Sequence, residues 1–262
     1  MKSIAIIPAR YASSRFPGKP LADLGGKPVI RWVYDGLQGI DGLDCICVAT
    51  DDKRISKAVE LFGGKCVMTR SDHKSGTERC GEVVEKFATE GTVFDVVVNV
   101  QGDEPFVNKE QIKSLLAAFS NPGTEIATLA KKITSAEELL SSNNVKVVTD
   151  LSGEALYFSR TPIPYLRDCD TSQWLNRHYY YKHVGIYAYR SEVLKALVSL
   201  DESPLEKCEK LEQLRWMECG RTIKVIETSC ENIGIDTPED LVAAQQRLQA
   251  SKNNAEYKIP EI

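Results

Sequence analysis

No stretch of about 18 consecutive apolar residues occurs in this 262-residue chain, which excludes a transmembrane helix. Met1-Lys2-Ser3 runs straight into the apolar Ile4-Ala5-Ile6-Ile7, so no secretory signal is expected. The eight cysteines contain no C-x-x-C pair, and Cys45 and Cys47 flank Ile46 in an apolar run where a thiol acts as a small hydrophobe. A reduced, cytoplasmic setting is the expectation. Neither the G-x-x-x-x-G-K-[ST] of a P-loop nor the G-x-G-x-x-G of a dinucleotide fold is present. A formal net charge of −4 argues against general nucleic-acid or membrane-surface binding. No repeats or low-complexity segments stand out.

Against that acidic balance, no acidic residue appears before Asp23. The apolar run at 4–7 empties into Pro8-Ala9-Arg10-Tyr11-Ala12-Ser13-Ser14-Arg15-Phe16-Pro17-Gly18-Lys19-Pro20. A cationic, hydroxyl-bearing loop at the carboxyl end of a first strand is where an open α/β sheet binds its ligand. Guanidinium forks, an ammonium and backbone N–H groups suit a polyphosphate. The same composition also suits a merely solubilising turn.

Strand-like runs alternate with helical patterns through the first half. Residues 3–8 precede a helix over Val29–Leu37; Cys45–Thr50 precedes one over Lys53–Phe62; Lys65–Met68 leads to one over Glu78–Phe87. Asp95–Val100, the most apolar run, reads as a central strand followed by a helix over Lys109–Phe119. Short strands joined by helices predict an α/β fold with a wound, mostly parallel sheet. From Ile126 the pattern changes. Val145–Val148 and Ala155–Phe158 read as a hairpin, with another strand at His183–Tyr189, so a smaller antiparallel lobe is expected over about residues 145–190. That lobe is the candidate for a subunit contact. Leu205–Gly220 reads as one helix, Thr222–Glu227 as a strand and Pro238–Leu248 as the last helix. Residues 1–250 are read as a single domain and 251–262 as a polar tail.

Candidate metal ligands stand at two turns. Asn99-Val100-Gln101-Gly102-Asp103-Glu104-Pro105 puts Asp103 at a strand's carboxyl end, with Gly102 permitting close backbone approach to a ligand. In Gly234-Ile235-Asp236-Thr237-Pro238-Glu239-Asp240, Thr237 suits an N-cap, Pro238 the first helical position and Asp240 a capping box. Asp236 is then left free to project. Mg²⁺ favours one or two carboxylates with phosphate oxygens and waters, so Asp103, Asp236 and the first loop together suggest a magnesium site. Taken singly, each aspartate is an ordinary turn residue. A third patch, Thr69–Arg79, sets small hydroxyls and a glycine at a helix start, suited either to ligand polar groups or to capping alone.

These segments, together with Tyr157-Phe158-Ser159-Arg160, His183-Val184-Gly185-Ile186-Tyr187 and Leu211-Glu212-Gln213-Leu214-Arg215, resemble the 3-deoxy-manno-octulosonate cytidylyltransferases in order from residue 4 to about 245. The resemblance implies a nucleotide-diphospho-sugar transferase type of α/β fold and a magnesium-dependent, cytoplasmic homodimer. It also implies joining of CTP to an eight-carbon sugar acid for lipopolysaccharide synthesis. It puts Arg10, Ser14, Arg15 and Lys19 on the CTP phosphates, Ser75 and Arg79 on the nucleotide side, and Asp103 and Asp236 on magnesium, with Lys19, Asp103 and Asp236 catalytic. It puts Gln101, Arg160, His183, Tyr187, Glu212 and Gln213 around the sugar acid, with Arg160 the leading partner for its carboxylate. One departure is local: the family's Asn-Pro-Asn before Val-Lys-Val-Val is Ser142-Asn143-Asn144 here.

Other residues carry weaker signals. His178 and His183, five apart in a strand-like stretch, would face opposite sides and make a poor metal pair. Tyr179-Tyr180-Tyr181 fits core or interface packing better than a sugar site. Two other functions stay open at this level: a cytidylyltransferase for a different sugar acid, which the lobe residues would distinguish, and a non-catalytic nucleotide binder, which need not keep Asp103 and Asp236.

Overall fold

Strand β1 (Ser3–Pro8) is buried along all but its last residue, which requires cover on both faces. Parallel strands flank it: β4 (Cys45–Thr50) on one side, with Ile4 opposite Cys45, and β6 (Val96–Asn99) on the other, with Ser3 opposite Val96. Strand β5 (Cys66–Met68) extends the sheet beyond β4, while β2 (Asp23–Leu24) and β3 (Lys27–Pro28) form a separate small ribbon. The computed structural model describes residues 1–12, 15–231 and 233–253, and the chain divides into two compact units: Met1–Lys109 with the stretch from Asn232, and Glu110–Glu231.

Helices of the first unit follow their sequence signals. Helix α1 (Val29–Leu37) buries Val29, Ile30, Val33, Tyr34 and Leu37, the spacing of one helical face. Asp52 caps α2 (Lys53–Leu61) by accepting from the Arg54 N–H, and Ser75 caps α3 (Gly76–Thr89) by accepting from the Glu78 N–H. Because β1 and β6 run parallel, the loops leaving Pro8 and Asn99 emerge at one edge. The start of α3 joins them, since a Cβ on Gly76 would lie 3.3 Å from Pro8.

The second unit begins at the second residue of α4 (Lys109–Ala118) and is built on β7 (Ile126–Lys132), a strand to which the sequence pattern assigns no element. Its run Ile126-Ala127-Thr128-Leu129-Ala130 is buried throughout, so no apolar-polar alternation announces it, and two alanines dilute the β-branched Ile126 and Thr128. After α5 (Ala136–Leu140), β8 (Lys146–Thr149) and β9 (Ala155–Ser159) form the expected hairpin. Helix α6 (Trp174–Arg177) precedes β10 (Tyr181–Arg190), which pairs antiparallel with both β7 and β8. His178 therefore ends a helix and does not share a strand with His183. Tyr180 is buried, stacks on Trp174 and donates to the Pro164 carbonyl at 2.9 Å, a packing role as expected.

Helix α7 (Ser191–Leu197) follows, and then the expected single helix at 205–220 divides into α8 (Pro204–Glu209) and α9 (Gln213–Glu218). Lys210 takes φ 54°, which ends α8 in a left-handed turn. The carbonyls of Glu209 and Lys210 are claimed by the Arg160 side chain. Strand β11 (Ile223–Thr228) lies parallel to β7, and α10 (Pro238–Asn253) returns the chain to the first unit. The α/β class, with a parallel sheet and an antiparallel block, is thus as expected. Among the described residues, no helix is long and apolar enough to cross a membrane.

Candidate active site

At the edge where β1 and β6 end, the first unit holds a cleft of about 370 Å³. Its walls come from the first loop (Arg10, Arg15, Lys19), the segment His73–Gly76 with Arg79, the turn Gln101–Asp103, and Asp236. The Lys19 ammonium lies 2.6 Å from Asp103 Oδ2 and 3.2 Å from Asp236 Oδ1, and Arg15 reaches the other Asp236 oxygen at 3.2 Å. Asp236 is therefore ion-paired, not free to project: its neighbours supply the counter-charge that a half-exposed carboxylate attracts. The two aspartate turns are also tied by backbone, the Ile235 N–H donating to the Asp103 carbonyl at 2.8 Å.

Local chemistry sets these positions. Gly18 takes φ 74°, and a Cβ there would sit 3.0 Å from the Tyr11 ring, so only glycine lets the loop close before Lys19. Arg54, clamped by Asp52 at 2.6 Å, lies 3.3 Å above that ring. Gly102 lines the cleft, and a Cβ there would come within 2.7 Å of the Pro8 carbonyl, so the Asp103 turn also packs closely against the end of β1. Asp236 stands just before the expected cap: Thr237 Oγ1 accepts from the Asp240 N–H, and the Asp240 carboxylate accepts from the N–H groups of Thr237 and Asp236. Hydrogen bonds to those N–H groups and to Thr237 outweigh burial and hold the Asp240 carboxyl below its ordinary range.

Two of the nucleotide-side residues are engaged in structure. Ser75 Oγ accepts from the Glu78 N–H at 3.2 Å while lining the cleft. Arg79 is buried; it donates to Thr69 Oγ1 and to the Arg70 carbonyl, and lies 3.5 Å from Asp51. Ser14 lies outside the described residues. His73, which the sequence reading did not single out, forms part of the wall, its Nε2 2.5 Å from Glu82 and its Nδ1 3.7 Å from Glu78. Burial would raise the Glu82 carboxyl, but hydrogen bonds from Lys86, the Arg70 N–H and His73 bring it down to about 2. No spacing rule in the sequence announces this cluster.

The cleft's carboxylates suit magnesium by donor chemistry. Asp103 and Asp236 both aim an oxygen at one point already filled by a cation, the Lys19 ammonium. Two carboxylates leave the remaining positions to phosphate oxygens and waters, the usual composition of a Mg²⁺ site.

Of the residues expected around the sugar acid, Gln101 lines this cleft; the others lie in the second unit. There β7 and β10 change register between Val184 and Tyr187, a bulge that brings the Thr128 hydroxyl to the Ile186 carbonyl at 2.9 Å and to His183 Nε2 at 2.9 Å. Burial pushes the His183 imidazole down to about 3, so it is neutral at physiological pH. Its ring centre lies 5.2 Å from that of Tyr187. Burial first, and then the charge of Glu212, push the Tyr187 phenol well above its ordinary value. Glu212 is half-buried, and buried Gln213 opens α9 immediately after it. The Arg160 guanidinium donates to three backbone carbonyls: Glu209 at 2.7 Å, Ser142 at 3.1 Å and Lys210 at 3.4 Å.

Most of the chain matches known proteins closely. Residues 4–223 match the family profile described as cytidylyltransferase. A 3-deoxy-manno-octulosonate cytidylyltransferase of Phocaeicola vulgatus is 55% identical over 95% of this chain and 98% of its own. That of Parabacteroides distasonis is 53% identical over 93% and 97%. Among solved structures, a CMP:2-keto-3-deoxy-manno-octonic acid synthetase complexed with CTP superposes with a TM-score of 0.88 at 43% identity, covering 95% of this chain and 99% of that one. At 18% identity, 4-diphosphocytidyl-2C-methyl-D-erythritol synthase of Anaerococcus prevotii shares the fold, with a TM-score of 0.60. Identity above one half along nearly the full length places this chain in the 3-deoxy-manno-octulosonate branch of the cytidylyltransferase family.

Proposed function

We propose that the protein joins CTP to 3-deoxy-D-manno-octulosonate, giving CMP-3-deoxy-D-manno-octulosonate and pyrophosphate for lipopolysaccharide biosynthesis. The observation that carries the reading is the Arg15–Asp236–Lys19–Asp103 chain of charges in a cleft whose other walls bring Arg10 and the start of α3. Relatives that carry this activity in their names match 93–95% of the chain.

In this reading the sugar's anomeric hydroxyl attacks the α-phosphorus in line and gives up its proton to water; one P–O bond forms as the bond to pyrophosphate breaks. Catalysis is then mainly positioning and charge stabilisation. Arg10, Arg15 and Lys19 bind the triphosphate and steady the charge that builds on the leaving pyrophosphate. Asp103 and Asp236 would hold magnesium, which when bound draws charge from phosphate oxygens. The neutral His183, Glu212 and Gln213 supply donors and acceptors for sugar hydroxyls. Arg160 has two N–H groups beyond the three already engaged, enough to take a carboxylate. The enzyme is proposed to work in the cytoplasm as a homodimer. Exposed Leu151, Leu156, Tyr165 and Tyr179 support a subunit contact within the 145–190 region, which sedimentation of an Asp substitution at Leu156 would test.

The deciding experiment offers a panel of sugar acids with each of the four nucleoside triphosphates and measures pyrophosphate release. Release with CTP and the octulosonate, abolished by EDTA, is expected. Equal release with ATP, or undiminished turnover in EDTA, would overturn the reading.

A further inference from the structure

Lys146 lies on β8 with no exposed surface, a costly place for an ammonium. Its three bonds all go to backbone carbonyls: Ser141 at 2.9 Å, Asn144 at 2.6 Å and Arg160 at 2.6 Å. That set uses each of the three ammonium protons. One charge thus ties the turn 141–144 to the end of β9.

Arg160 sits inside the frame this makes. Its own carbonyl is held by Lys146, and one of its guanidinium acceptors, the Ser142 carbonyl, lies on the turn that Lys146 gathers. The other two acceptors are the carbonyls of Glu209 and Lys210, where α8 ends and the chain bends toward Glu212 and Gln213. Glu209 closes the frame, its carboxylate accepting from Ser159 Oγ at 2.6 Å and from the Arg160 N–H at 3.0 Å. A one-residue shift of the turn would therefore move the guanidinium, and with it the corner that leads into α9.

We propose that Lys146 is a positioning residue for the sugar-acid side of the site, acting through Arg160. It touches no substrate; it fixes the carbonyls that orient the Arg160 guanidinium toward a carboxylate-bearing sugar. The proposal rests on the function proposed above.

A double-substitution cycle tests it, using Lys146→Met, Arg160→Ala and the pair in the full-length enzyme. Lys146→Gln, which keeps two donors, serves where the methionine variant does not fold. Lys146→Met, or Lys146→Gln in its place, should raise the sugar-acid KM about tenfold while the CTP KM stays within about twofold. In the Arg160→Ala background the same substitution should add less than about twofold, because its route of action is already cut. Full additivity, or equal changes in both KM values, would overturn the proposal and leave Lys146 a general stability element. Absence of any turnover by the unsubstituted enzyme with CTP and the octulosonate is a different failure: it removes the functional reading, and this proposal with it.

Discussion

Replacing Lys19 by methionine removes a cation that touches both Asp103 and Asp236. The ammonium lies 2.6 Å from one carboxylate and 3.2 Å from the other, on a residue only 9% exposed. Solvent reaches the aspartates, so each pair is worth about 1 kcal/mol and not the several that a dry site would give. A divalent ion approaching the CTP-free enzyme has to displace that ammonium before it can use both carboxylates. In Lys19→Met, among the described residues, the carboxylates keep Arg15, on Asp236, as their ion-pair partner. With both pairs removed the relief should amount to about 2 kcal/mol, or ~30-fold tighter binding of a divalent ion. Mn²⁺ serves as the probe, since the electron paramagnetic resonance signal of the free ion falls as it binds. Turnover should be lost in the same variant, so metal affinity and activity move in opposite directions. Adding Asp103→Asn should cancel the gain in affinity. The reasoning is refuted if CTP-free Lys19→Met binds Mn²⁺ no more tightly than the unsubstituted protein.

Asp236→Asn should fold normally and lose most turnover, whereas Thr237→Ala should cost about 1 kcal/mol of stability through its cap and spare activity; melting curves and pyrophosphate release separate the two. His183 has its folded pKa depressed to about 3, so its contribution is fully present above about 6.5 and is lost as pH falls toward 3. Urea midpoints should therefore show about 1.4 kcal/mol of destabilisation per pH unit in that window, and His183→Gln should flatten the slope; an unchanged slope would mean His183 protonates freely in the fold. Gly102→Ala places a Cβ 2.7 Å from the Pro8 carbonyl, so about 1–3 kcal/mol should be lost along with CTP affinity as the Asp103 turn moves; native stability and kinetics would contradict that crowding.

Local signals account for what was legible. The strand at 3–8, the helix at 29–37 and the hairpin around 150 each follow from apolar runs, caps and turn residues within a few positions. The cap at Thr237 was readable for the same reason. Strand β7 was not, because its alanine-rich run is buried on both faces and carries no period. The break between α8 and α9 was also hidden, since helix-compatible residues run through it and the carbonyls there are claimed by Arg160, 49 and 50 positions away.

By itself, then, the sequence determined the α/β class, the cationic loop after β1 and the two aspartate turns, since each depends on near neighbours and on backbone preference. Which charges meet was decided by tertiary structure. Lys19 finds Asp103 across 84 residues and Asp236 across 217, and Lys146 finds its third carbonyl on Arg160, the residue that follows β9. Such pairings depend on distance in space to within an ångström, and only the folded sheet, by bringing the ends of its strands to one edge, sets that distance.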